Sequence, residues 1–560
     1  MFIPATLSEA EKRGWNSLDI ILVSGDAYYD TPYDGSAVIG HWLISKGFRV
    51  GIIPQPTGDD IRRLGKPDLF WSVSAGCVDS MVANRNPLGR KRGYDDFTPG
   101  GKNTKRPDRA SIVYSNMIKS FDKGKPIVLG GIEASLRRFA HYDYWTDTVR
   151  RSILFDSKAD YITYGMAELS NLALAEAVRD GKSCDDIRGI CRISKDPVPG
   201  YTEMPSYEEC LSDLSAYAEA FRIFRNGCDP VTSGGLIQKH GNRYLVHNPP
   251  QRDLTPEELD FIHLMDYEYE VHPLCLKEGD IKAAETVKNS ITTHRGCYGE
   301  CSFCAISVHQ GRRVISRTED SIVKEAERIA SRPGFNGIIY DLGGPTANMY
   351  GIDCPKKKNG NCRDKKCLYP EVCRSLGVDH SAQIRLLNRV KNIPGVKKVF
   401  VASGIRYDMV LADSEHGKEY VDTLVSDHVS GQLKVAPEHS SDKVLALMGK
   451  SGKDKLLEFK KMFDESNEVQ GKKQFLTYYF MAAHPGCGQR EMEELNRFCN
   501  ILRTNPEQVQ IFTPTPSTES TLMYHTGRTL SGEKVFVERT DGGKQRQKDT
   551  ILKRRERHVR

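Results

Sequence analysis

The sequence predicts an α/β protein in which a doubly wound, Rossmann-like domain precedes a partial (β/α)6 barrel. Strand-like apolar runs alternate with amphipathic helical stretches in two separate parts of the chain, which predicts parallel sheets with helices on their faces. The chain has 560 residues, enough for two or three domains with cores of their own. Apolar residues make up 39% and charged residues 28%, which is typical of folded soluble proteins and excludes a disordered chain.

Residues 1–200 are predicted to form the doubly wound domain. A basic stretch at 84–109 interrupts it with eight Lys or Arg residues, and we expect a solvated loop there, with a loop that faces an anionic partner as the alternative. Residues 201–288 are expected to bridge the two domains. The strands of the first domain are expected at 19–25, 50–53, 69–73, 126–131 and 161–164.

Residues 289–515 are predicted to form the barrel, with a cysteine-rich insertion at 354–373. A strand ahead of the first cysteine loop completes six βα units, fewer than a full eight-unit barrel has. The other strands are expected at 337–341, 399–403, 433–435, 475–481 and 509–512. Residues 516–560 are predicted to be a C-terminal extension, whose last seventeen residues hold eight Lys or Arg and two acids. That composition predicts a disordered basic tail.

The start of the chain lacks a basic flank followed by an apolar run, and no stretch approaches the length of a membrane span. We therefore expect a cytoplasmic protein with no membrane partner. In a reducing compartment, its fifteen cysteines are not expected to form a disulfide framework. Eight of them are scattered and are expected to pack as small apolar side chains. The other seven fall into two groups.

The first group is Cys297, Cys301 and Cys304, spaced C-x3-C-x2-C. A [4Fe–4S] cluster normally takes four thiolates, one for each iron. Three cysteines leave one iron open for an exogenous ligand, as a catalytic metal site requires. The alternatives are a zinc knuckle, with His294 or His309 as the fourth ligand, and a cluster that only stores electrons.

The pattern C-x3-C-x-aromatic-C resembles the signature of the radical S-adenosylmethionine (SAM) superfamily, with Phe303 as the aromatic residue. The resemblance implies that the open iron binds the amino and carboxylate groups of SAM. It also implies that an electron from the cluster cleaves the sulfonium C–S bond, giving methionine and a 5′-deoxyadenosyl radical that takes hydrogen from a substrate. A low-potential electron donor of the flavodoxin or ferredoxin type is the partner implied.

Further motifs along the chain resemble the SAM-binding segments of the same superfamily. Gly343 and Gly344 end a strand where the superfamily lays backbone against the methionine ammonium of SAM, although Pro345 stands where Glu is usual. Arg406 is a candidate for the SAM carboxylate, because guanidinium pairs bidentately with such groups. Glu438 occupies the position expected to bind the ribose hydroxyls.

Over nearly the whole chain, segments such as SGDAYYDTPYDGSAVIGHWL, VLGGIEASLRRFAHYDYW and PTPSTESTLMYHTG resemble the YgiQ-type radical SAM family. The first domain is similar to the cobalamin-binding domains that precede many radical SAM barrels. Its ligand crevice is expected beyond the strand ends, near residues 25–29 and 130–133. No Asp-x-His-x-x-Gly motif is present. Cobalamin therefore stays open beside a substrate-binding or partner-binding role.

The second cysteine group lies in the insertion, among Lys, Asn and Gly residues, and we expect four thiols in so polar a segment not to pack as apolar side chains. A structural zinc site, an auxiliary [4Fe–4S] cluster and unligated thiols are the alternatives. The residues are Cys354, Cys362, Cys367 and Cys373.

The sequence predicts a radical SAM enzyme whose substrate it does not identify. The alternative from another class is a nonenzymatic, metal-stabilised nucleic-acid-binding protein, for which the cysteine loop and the basic tail are the grounds. RNA is then the partner, held through phosphate contacts. The tail has no interleaved aromatic residues for base stacking, so a solubilising tail is the simpler interpretation.

Overall fold

The computed structural model describes residues 1–552, which divide into two compact units. The first unit comprises Met1–Asp253 and Phe261–Lys288. The second unit comprises Leu254–Asp260 and the chain from Asn289 onward. None of the helices within residues 1–552 combines the length and the apolar character that crossing a bilayer requires.

The first unit is built around one nine-stranded sheet, with a separate two-stranded ribbon. The strands are β1 (Ile20–Ser24), β2 (Val50–Pro54), β3 (Phe70–Ser74), β4 (Ile127–Gly130), β5 (His141–Asp143), β6 (Thr148–Arg150), β7 (Tyr161–Thr163), β8 (Ile190–Ser194), β9 (Thr202–Met204), β10 (Leu236–His240) and β11 (Arg243–His247). The helices are α1 (Leu7–Lys12), α2 (Gly35–Ser45), α3 (Ser80–Asn84), α4 (Ala110–Phe121), α5 (Gly131–Leu136), α6 (Ile153–Ser157), α7 (Glu168–Arg179), α8 (Tyr207–Ser212), α9 (Leu214–Asn226), α10 (Pro256–His263, shared between the units), α11 (Pro273–Leu276) and α12 (Lys282–Val287). The strand order in the sheet is β2-β1-β3-β4-β7-β8-β11-β10-β9.

The five strands predicted for the doubly wound domain are β1, β2, β3, β4 and β7, and they pair in parallel. Both β1 and β2 are buried at every position. Parallel strands with helices over both faces have this uniform burial, which explains their continuous apolar runs. The predicted fold class of this part of the chain is confirmed.

The sheet continues past residue 200 into the segment that the sequence suggested as a bridge. There β9, β10 and β11 join it, and β11 pairs antiparallel with β8. The hairpin of β10 and β11 turns at Gly241 and Asn242, with φ of 60° at Gly241. A Gly-containing pair between two short apolar runs is the sequence signal for such a hairpin. The first unit therefore extends to Lys288, because its sheet recruits strands from the segment after residue 200.

The basic stretch 84–109 folds against the carboxyl ends of β1 and β3, where a solvated loop was expected. Arg106 is 2% exposed, and its guanidinium lies 2.6 Å from Asp26 and 3.1 Å from Asp95. It also donates to the carbonyl oxygen of Ala75 at 2.8 Å. A buried cation is tolerated only when it is paired and hydrogen-bonded. The stretch therefore covers the strand ends, and the charge of Arg106 buried there is paired with carboxylates.

Glu133, in α5 after β4, caps the amino ends of two helices. Its carboxylate accepts hydrogen bonds from the backbone N–H of Ser80 in α3 at 2.9 Å and of Ser111 in α4 at 3.0 Å. A carboxylate at a helix N-terminus satisfies unpaired N–H groups and interacts favourably with the helix dipole. Glu133 is 1% exposed, so its carboxylate after β4 serves to cap these helices and does not face solvent.

The second unit contains the predicted barrel strands and their helices. The strands are β12 (Ser290–Thr292), β13 (His294–Arg295), β14 (Ile315–Ser316), β15 (Ile338–Ile339), β16 (Asp341–Gly343), β17 (Lys398–Val399), β18 (Gln432–Glu438), β19 (Phe475–Ala482) and β20 (Val509–Ile511). The helices are α13 (Ile306–His309), α14 (Glu319–Ala330), α15 (Ser381–Lys391), α16 (Tyr407–Ala412), α17 (Gly417–Thr423), α18 (Asp442–Met448), α19 (Lys453–Val469), α20 (Gln489–Ile501), α21 (Glu519–Thr526) and α22 (Asp541–Leu552).

Six parallel strand segments follow one another in this unit. The pairs β12·β16, β15·β17, β18·β19 and β19·β20 are all parallel. A parallel bridge between Ile405 and Val435 continues the pairing from the segment after β17 to β18. The two short strands β15 and β16 are parts of one predicted strand. The prediction of six βα units is confirmed.

Residues Asp541–Leu552 form helix α22, although the sequence predicted a disordered tail there from residue 544. Gln547 in α22 accepts a hydrogen bond from the backbone N–H of Ala483 at 2.8 Å and donates to the carbonyl oxygen of Cys487 at 3.1 Å. Lys544, Gln547 and Ile551 are buried, at the spacing of one helix face. Because charged residues dominate this segment, its sequence pattern did not reveal the short buried face of the helix. Residues 553–560 of the predicted tail lie outside the described residues.

We expect Gln547→Ala to loosen the chain after β19, because it leaves two buried backbone groups unpaired at a cost of about 1–3 kcal/mol each. Hydrogen–deuterium exchange in peptides covering residues 483–488 should become about tenfold faster or more. Arg546→Ala, on the exposed face of the same helix, is the matched control and should leave that exchange unchanged. Equal exchange in both variants would contradict a structural role for α22.

Candidate active site

The loop between β13 and α13 holds the three cysteines of the first group. At its start, the backbone N–H of Gly296 donates to Gln310 at 3.1 Å. Tyr298 is fully buried and donates from its hydroxyl to the carbonyl oxygen of Ile352 at 3.1 Å. Further on, the backbone N–H of Ser302 donates to the carbonyl oxygen of Met448 at 2.9 Å. Each part of the loop is therefore anchored to a different segment of the unit.

Two of the three sulfur atoms of this loop lie beside Gly299. A Cβ atom added at Gly299 would lie 3.2 Å from the sulfur of Cys297 and 3.5 Å from that of Cys301. The backbone N–H of Gly299 donates to the Cys297 sulfur at 3.3 Å. Thr346 Oγ1 lies 3.6 Å from the same sulfur. Nη1 of Arg406 lies 3.5 Å from the same Cβ position, so a side chain at residue 299 would crowd both sulfurs and this guanidinium.

The thiols influence one another's ionisation. Burial raises the pKa of Cys297, and the neighbouring Cys301 raises it further. Burial raises the pKa of Cys304 to about 12, and Cys301, Cys297 and Glu438 add to the shift. Thiols so placed stay protonated until a cation arrives, and metal ligation then releases their protons. The donor set fits an iron–sulfur cluster, because three thiols on one loop can each ligate one of its four irons.

The zinc alternative needs a fourth ligand close to these sulfurs. Sulfur ligands of one zinc ion lie about 3.8 Å apart, given tetrahedral Zn–S bonds of about 2.3 Å. Within residues 1–552, the set of three His, Cys, Asp or Glu ligand atoms that lie within 4.8 Å of one another is Asp379, Asp413 and His416. His294 instead packs its ring where a Cβ of Gly344 would lie and has Thr293 Oγ1 2.9 Å from its Nδ1. His309 lies at the end of α13.

Gly343 and Gly344 end β16 in tight surroundings. A Cβ at Gly344 would lie 2.6–2.9 Å from the His294 ring atoms, and one at Gly343 would lie 3.1 Å from Ser403 Oγ. The carbonyl oxygen of Gly343 accepts from the backbone N–H of Thr293 at 2.7 Å. Packing therefore explains why both positions are glycine, in addition to any role toward SAM.

Arg406 precedes α16 and faces the cysteine loop. Its guanidinium donates from Nη1 to the sulfur of Cys301 at 3.5 Å. From Nε and Nη2 it donates to both oxygens of Asp408, at 2.9 and 2.5 Å. Burial alone would raise the pKa of the Asp408 carboxyl, but Arg406 lowers it below its usual value. Arg406 is thus a buried cation shared between a carboxylate and a thiol.

A chain of buried hydrogen bonds holds the backbone of Arg406. Asn348 accepts from the N–H of Arg406 at 2.7 Å and donates to its carbonyl oxygen at 3.0 Å. Asn348 also donates to His380 Nε2 at 3.1 Å, and His380 Nδ1 donates to Asp413 at 2.7 Å. Asn348 and His380 are both 0% exposed. The position of Arg406 is therefore fixed by residues from three other segments.

Glu438 ends β18 with φ of 70°, a left-handed conformation that costs a non-glycine residue about 1–3 kcal/mol. Burial raises the pKa of its carboxyl, and Lys450 and Arg406 lower it in part. It influences the pKa of Cys304, so it lies near the cysteine loop. Strained, partly buried carboxyl groups of this kind are common at functional sites.

Phe303 contacts His484 edge to face, with ring centroids 6.2 Å apart. Behind it, His484 Nε2 lies 2.7 Å from the hydroxyl of Ser520, and the backbone N–H of Ser520 donates to the carbonyl oxygen of Ser302 at 2.8 Å. Burial lowers the pKa of His484 to about 3, so this ring stays neutral. The segment after residue 515 therefore supports the cysteine loop.

The second cysteine group is divided between core and surface. Cys354 and Cys367 are buried in an apolar cluster with Tyr298, Met349 and Met409, contrary to the expectation that such thiols would not pack as apolar side chains. Burial raises the pKa of Cys367 to about 11. The other two members, Cys362 and Cys373, are half-buried. Within residues 1–552 the four sulfurs do not include three within 4.8 Å of one another.

Sequence patterns did not single out the residues that support Arg406. Asn348 follows the two glycines in the segment GPTANMYG, and Asp408 lies two positions after Arg406. An Arg-x-Asp pair at the start of a helix was the one local signal. His380 carries no such local signal, because its contact with Asp413 spans 33 positions.

Known protein families match the chain from near its first residue to residue 499. The Radical SAM N-terminal family matches residues 2–290, and the Radical SAM superfamily matches residues 291–499. A UPF0313 protein of Fusobacterium nucleatum is 54% identical over 562 residues, which cover 99% of each chain. A UPF0313 protein of Thermotoga maritima is 49% identical over 562 residues, covering 99% of this chain and 98% of its own.

Among solved structures, the fold is similar to that of OxsB, a cobalamin-dependent S-adenosylmethionine radical enzyme solved with aqua-cobalamin bound. The TM-score is 0.51 at 11% identity, covering 97% of this chain and 62% of OxsB. This chain thus spans about three-fifths of the length of OxsB, and the likeness concerns the fold.

The cysteine loop, the strand-end glycines, Arg406 and Glu438 all lie in the part of the chain that the superfamily matches. The predicted resemblance is confirmed, and a [4Fe–4S] cluster and SAM are the cofactors that go with it. The chain belongs to the UPF0313 family, a family of radical SAM enzymes.

Proposed function

We propose that this enzyme cleaves SAM reductively at a [4Fe–4S] cluster ligated by Cys297, Cys301 and Cys304. A cluster held by these thiols would supply one electron to the sulfonium of SAM, which would give methionine and a 5′-deoxyadenosyl radical able to take a hydrogen atom from a substrate still to be identified. The observation that carries the proposal is the placement of the Cys297 and Cys301 sulfurs beside Gly299, with Cys304 close enough for both to raise its pKa. An external low-potential electron donor of the flavodoxin or ferredoxin type completes the reaction.

The residues around the loop have roles that follow from their chemistry. Phe303, braced by His484, presents an apolar surface beside the cluster ligands and excludes water from them. Gly343 and Gly344 let the backbone approach the methionine end of SAM closely. Glu438 is positioned near Cys304 and accepts hydrogen bonds from the ribose hydroxyls when ionised.

Arg406 is proposed to act on both cofactors. Donation from Nη1 to the sulfur of Cys301 holds that ligand in place. The guanidinium has five N–H groups, and those not used by Asp408 and Cys301 remain for the SAM carboxylate. Asp408 offsets its charge, so the site gains a directed donor without a full additional positive charge.

The first unit does not fit cobalamin at the crevice expected from its fold. A Cβ at Gly25 would overlap the carbonyl oxygen of Ala75, so the ends of β1 and β3 touch. Arg106 and its carboxylate partners occupy the space beyond them, and Glu133 is committed to capping two helices. We therefore derive no step through cobalamin and favour a substrate-binding or partner-binding role for this unit.

The nonenzymatic alternative is favoured by fewer observations. Its basic tail is helical and partly buried up to Leu552, which removes part of the surface proposed for RNA. Metal analysis separates the two functions, because iron and sulfide in equal amounts favour the enzyme and zinc alone favours the alternative.

Cys301→Ala should abolish SAM cleavage, because two thiolates cannot hold a cluster with one open iron. The measurement is 5′-deoxyadenosine formed after anaerobic reconstitution, with photoreduced 5-deazariboflavin and SAM. Cys77→Ala, which removes a cysteine of the first unit outside both groups, is the control and should retain the wild-type rate. Undiminished 5′-deoxyadenosine from Cys301→Ala would refute the ligand assignment.

Arg406→Gln and Asp408→Asn should shift the midpoint potential of the cluster in opposite directions. Loss of the guanidinium removes positive charge and a donor to Cys301, which disfavours the reduced cluster and lowers the potential. Loss of the negative charge of Asp408 raises the midpoint potential. Each shift should reach about 59 mV, a tenfold change in the one-electron equilibrium, measured by redox titration followed by electron paramagnetic resonance. Shifts of the same sign in both variants would indicate general damage instead.

A further inference from the structure

The cysteine-rich insertion and the three residues after it are strongly basic. Residues 354–376 hold seven Lys or Arg and two acids, a net charge of +5 in 23 residues. A charge of this density creates a positive potential close to the segment. The segments 84–109 and 544–560 are also basic, and the contacts of the insertion with the cysteine loop are what distinguish it.

The structure sorts the insertion into an apolar inner side and a basic outer side. The inner side consists of Cys354, Cys367, Leu368 and Leu376, all buried in one apolar cluster. The outer side carries two exposed acids, Asp364 and Glu371, and five exposed cationic residues, which we call the basic face: Lys356, Lys358, Arg363, Lys365 and Arg374. Apolar burial against the core holds the insertion in place and keeps these charges directed to solvent.

The insertion is attached directly to the cysteine loop at two points. Lys357 donates to the carbonyl oxygen of Arg312, and its ammonium lies 4.8 Å from the ring centroid of Tyr298, the residue after Cys297. Lys366 donates at 3.0 Å to the hydroxyl of Ser302, the residue after Cys301. The segment that carries the basic face therefore contacts residues directly next to the proposed cluster ligands.

We infer that the basic face is the docking surface for an acidic protein that delivers single electrons to the cluster. This inference rests on the proposed function, which needs one electron from outside for each SAM cleaved. Charge complementarity steers such a carrier to the insertion and raises its association rate. The attachment of the insertion to the cysteine loop then brings the carrier close to the electron acceptor.

A protein partner suits this surface better than a nucleic acid does. Single-stranded nucleic acids are held by basic grooves with aromatic side chains on which bases stack. The one aromatic residue of the insertion, Tyr369, is partly buried. Acidic electron carriers need only charge complementarity and a short path, and complexes of this kind have small, weakly held interfaces.

The test is a triple charge reversal, Lys356→Glu, Lys358→Glu and Lys365→Glu, in the reconstituted full chain. The rate of cluster reduction is measured by stopped-flow absorbance with a reduced recombinant flavodoxin, and separately with photoreduced 5-deazariboflavin, a small uncharged donor. We expect the second-order rate with flavodoxin to fall at least tenfold and to lose its dependence on ionic strength. The rate with 5-deazariboflavin should stay unchanged.

The matched control reverses three exposed lysines elsewhere in the same unit, Lys461, Lys472 and Lys473, and should leave both rates unchanged. An unchanged flavodoxin rate in the basic-face variant would overturn the inference. So would equal losses with both donors, because the face would then support the cluster and not a carrier. Loss of RNA binding with an unaltered flavodoxin rate would assign the face to a nucleic acid.

Failure of the proposed function gives a different result. If the wild type forms no 5′-deoxyadenosine but its cluster is reduced by flavodoxin, the cleavage proposal fails and the docking inference is still decided by the rates. If no cluster forms, salt-dependent binding of oxidised flavodoxin, measured by isothermal titration calorimetry on both variants, decides it. Binding that is equal in the wild type and the basic-face variant contradicts docking.

Discussion

The second unit depends on a loop that leaves room beside Gly299 for the sulfurs of Cys297 and Cys301 and for the guanidinium of Arg406. Gly299 keeps that space open, while hydrogen bonds of the cysteine-loop backbone and of Tyr298 fix the loop on several sides. Thiolates brought together in a poorly solvated site repel one another, so a nearby cation is needed. Arg406 supplies it, and Asp408 limits its charge. The buried contacts of Asn348 and His380 hold the backbone of Arg406 in place. Without them, its guanidinium would not stay directed at one sulfur.

The carboxyl ends of the parallel strands have different surroundings in the two units. In parallel sheets, the carboxyl ends of the strands are where ligands bind. In the first unit this edge is covered by the chain itself, through the buried ion pairs of Arg106 and the helix caps of Glu133. In the second unit the corresponding ends bear Gly343, Gly344 and Glu438 around the cysteine loop. A fold shared with cobalamin enzymes therefore does not by itself indicate a cobalamin site.

Local sequence patterns predicted the elements whose burial is uniform or periodic. The parallel strands of both units lie where apolar runs indicated them, because a strand buried on both faces must be apolar throughout. The patterns failed where polar side chains are buried in partnership, as in the stretch 84–109 and in α22. Lys544 and Gln547 look like parts of a solvated tail until Tyr524, Ala483 and Cys487 are seen to contact them. Polar burial depends on partners far along the chain, which no window of sequence contains.

The sequence by itself predicted the chemistry of the site, because three cysteines at C-x3-C-x2-C can ligate at most three irons of one cluster wherever the loop is placed. It also determined the α/β class, since hydrophobic periodicity is a local property. Only the tertiary structure decided the environment of those cysteines. Arg406 reaches Cys301 across 105 positions, and Cys354 and Cys367 are core residues because Met349 and Met409 surround them. Ionisation and packing are set by neighbours in space, so these properties appear only when the chain is folded.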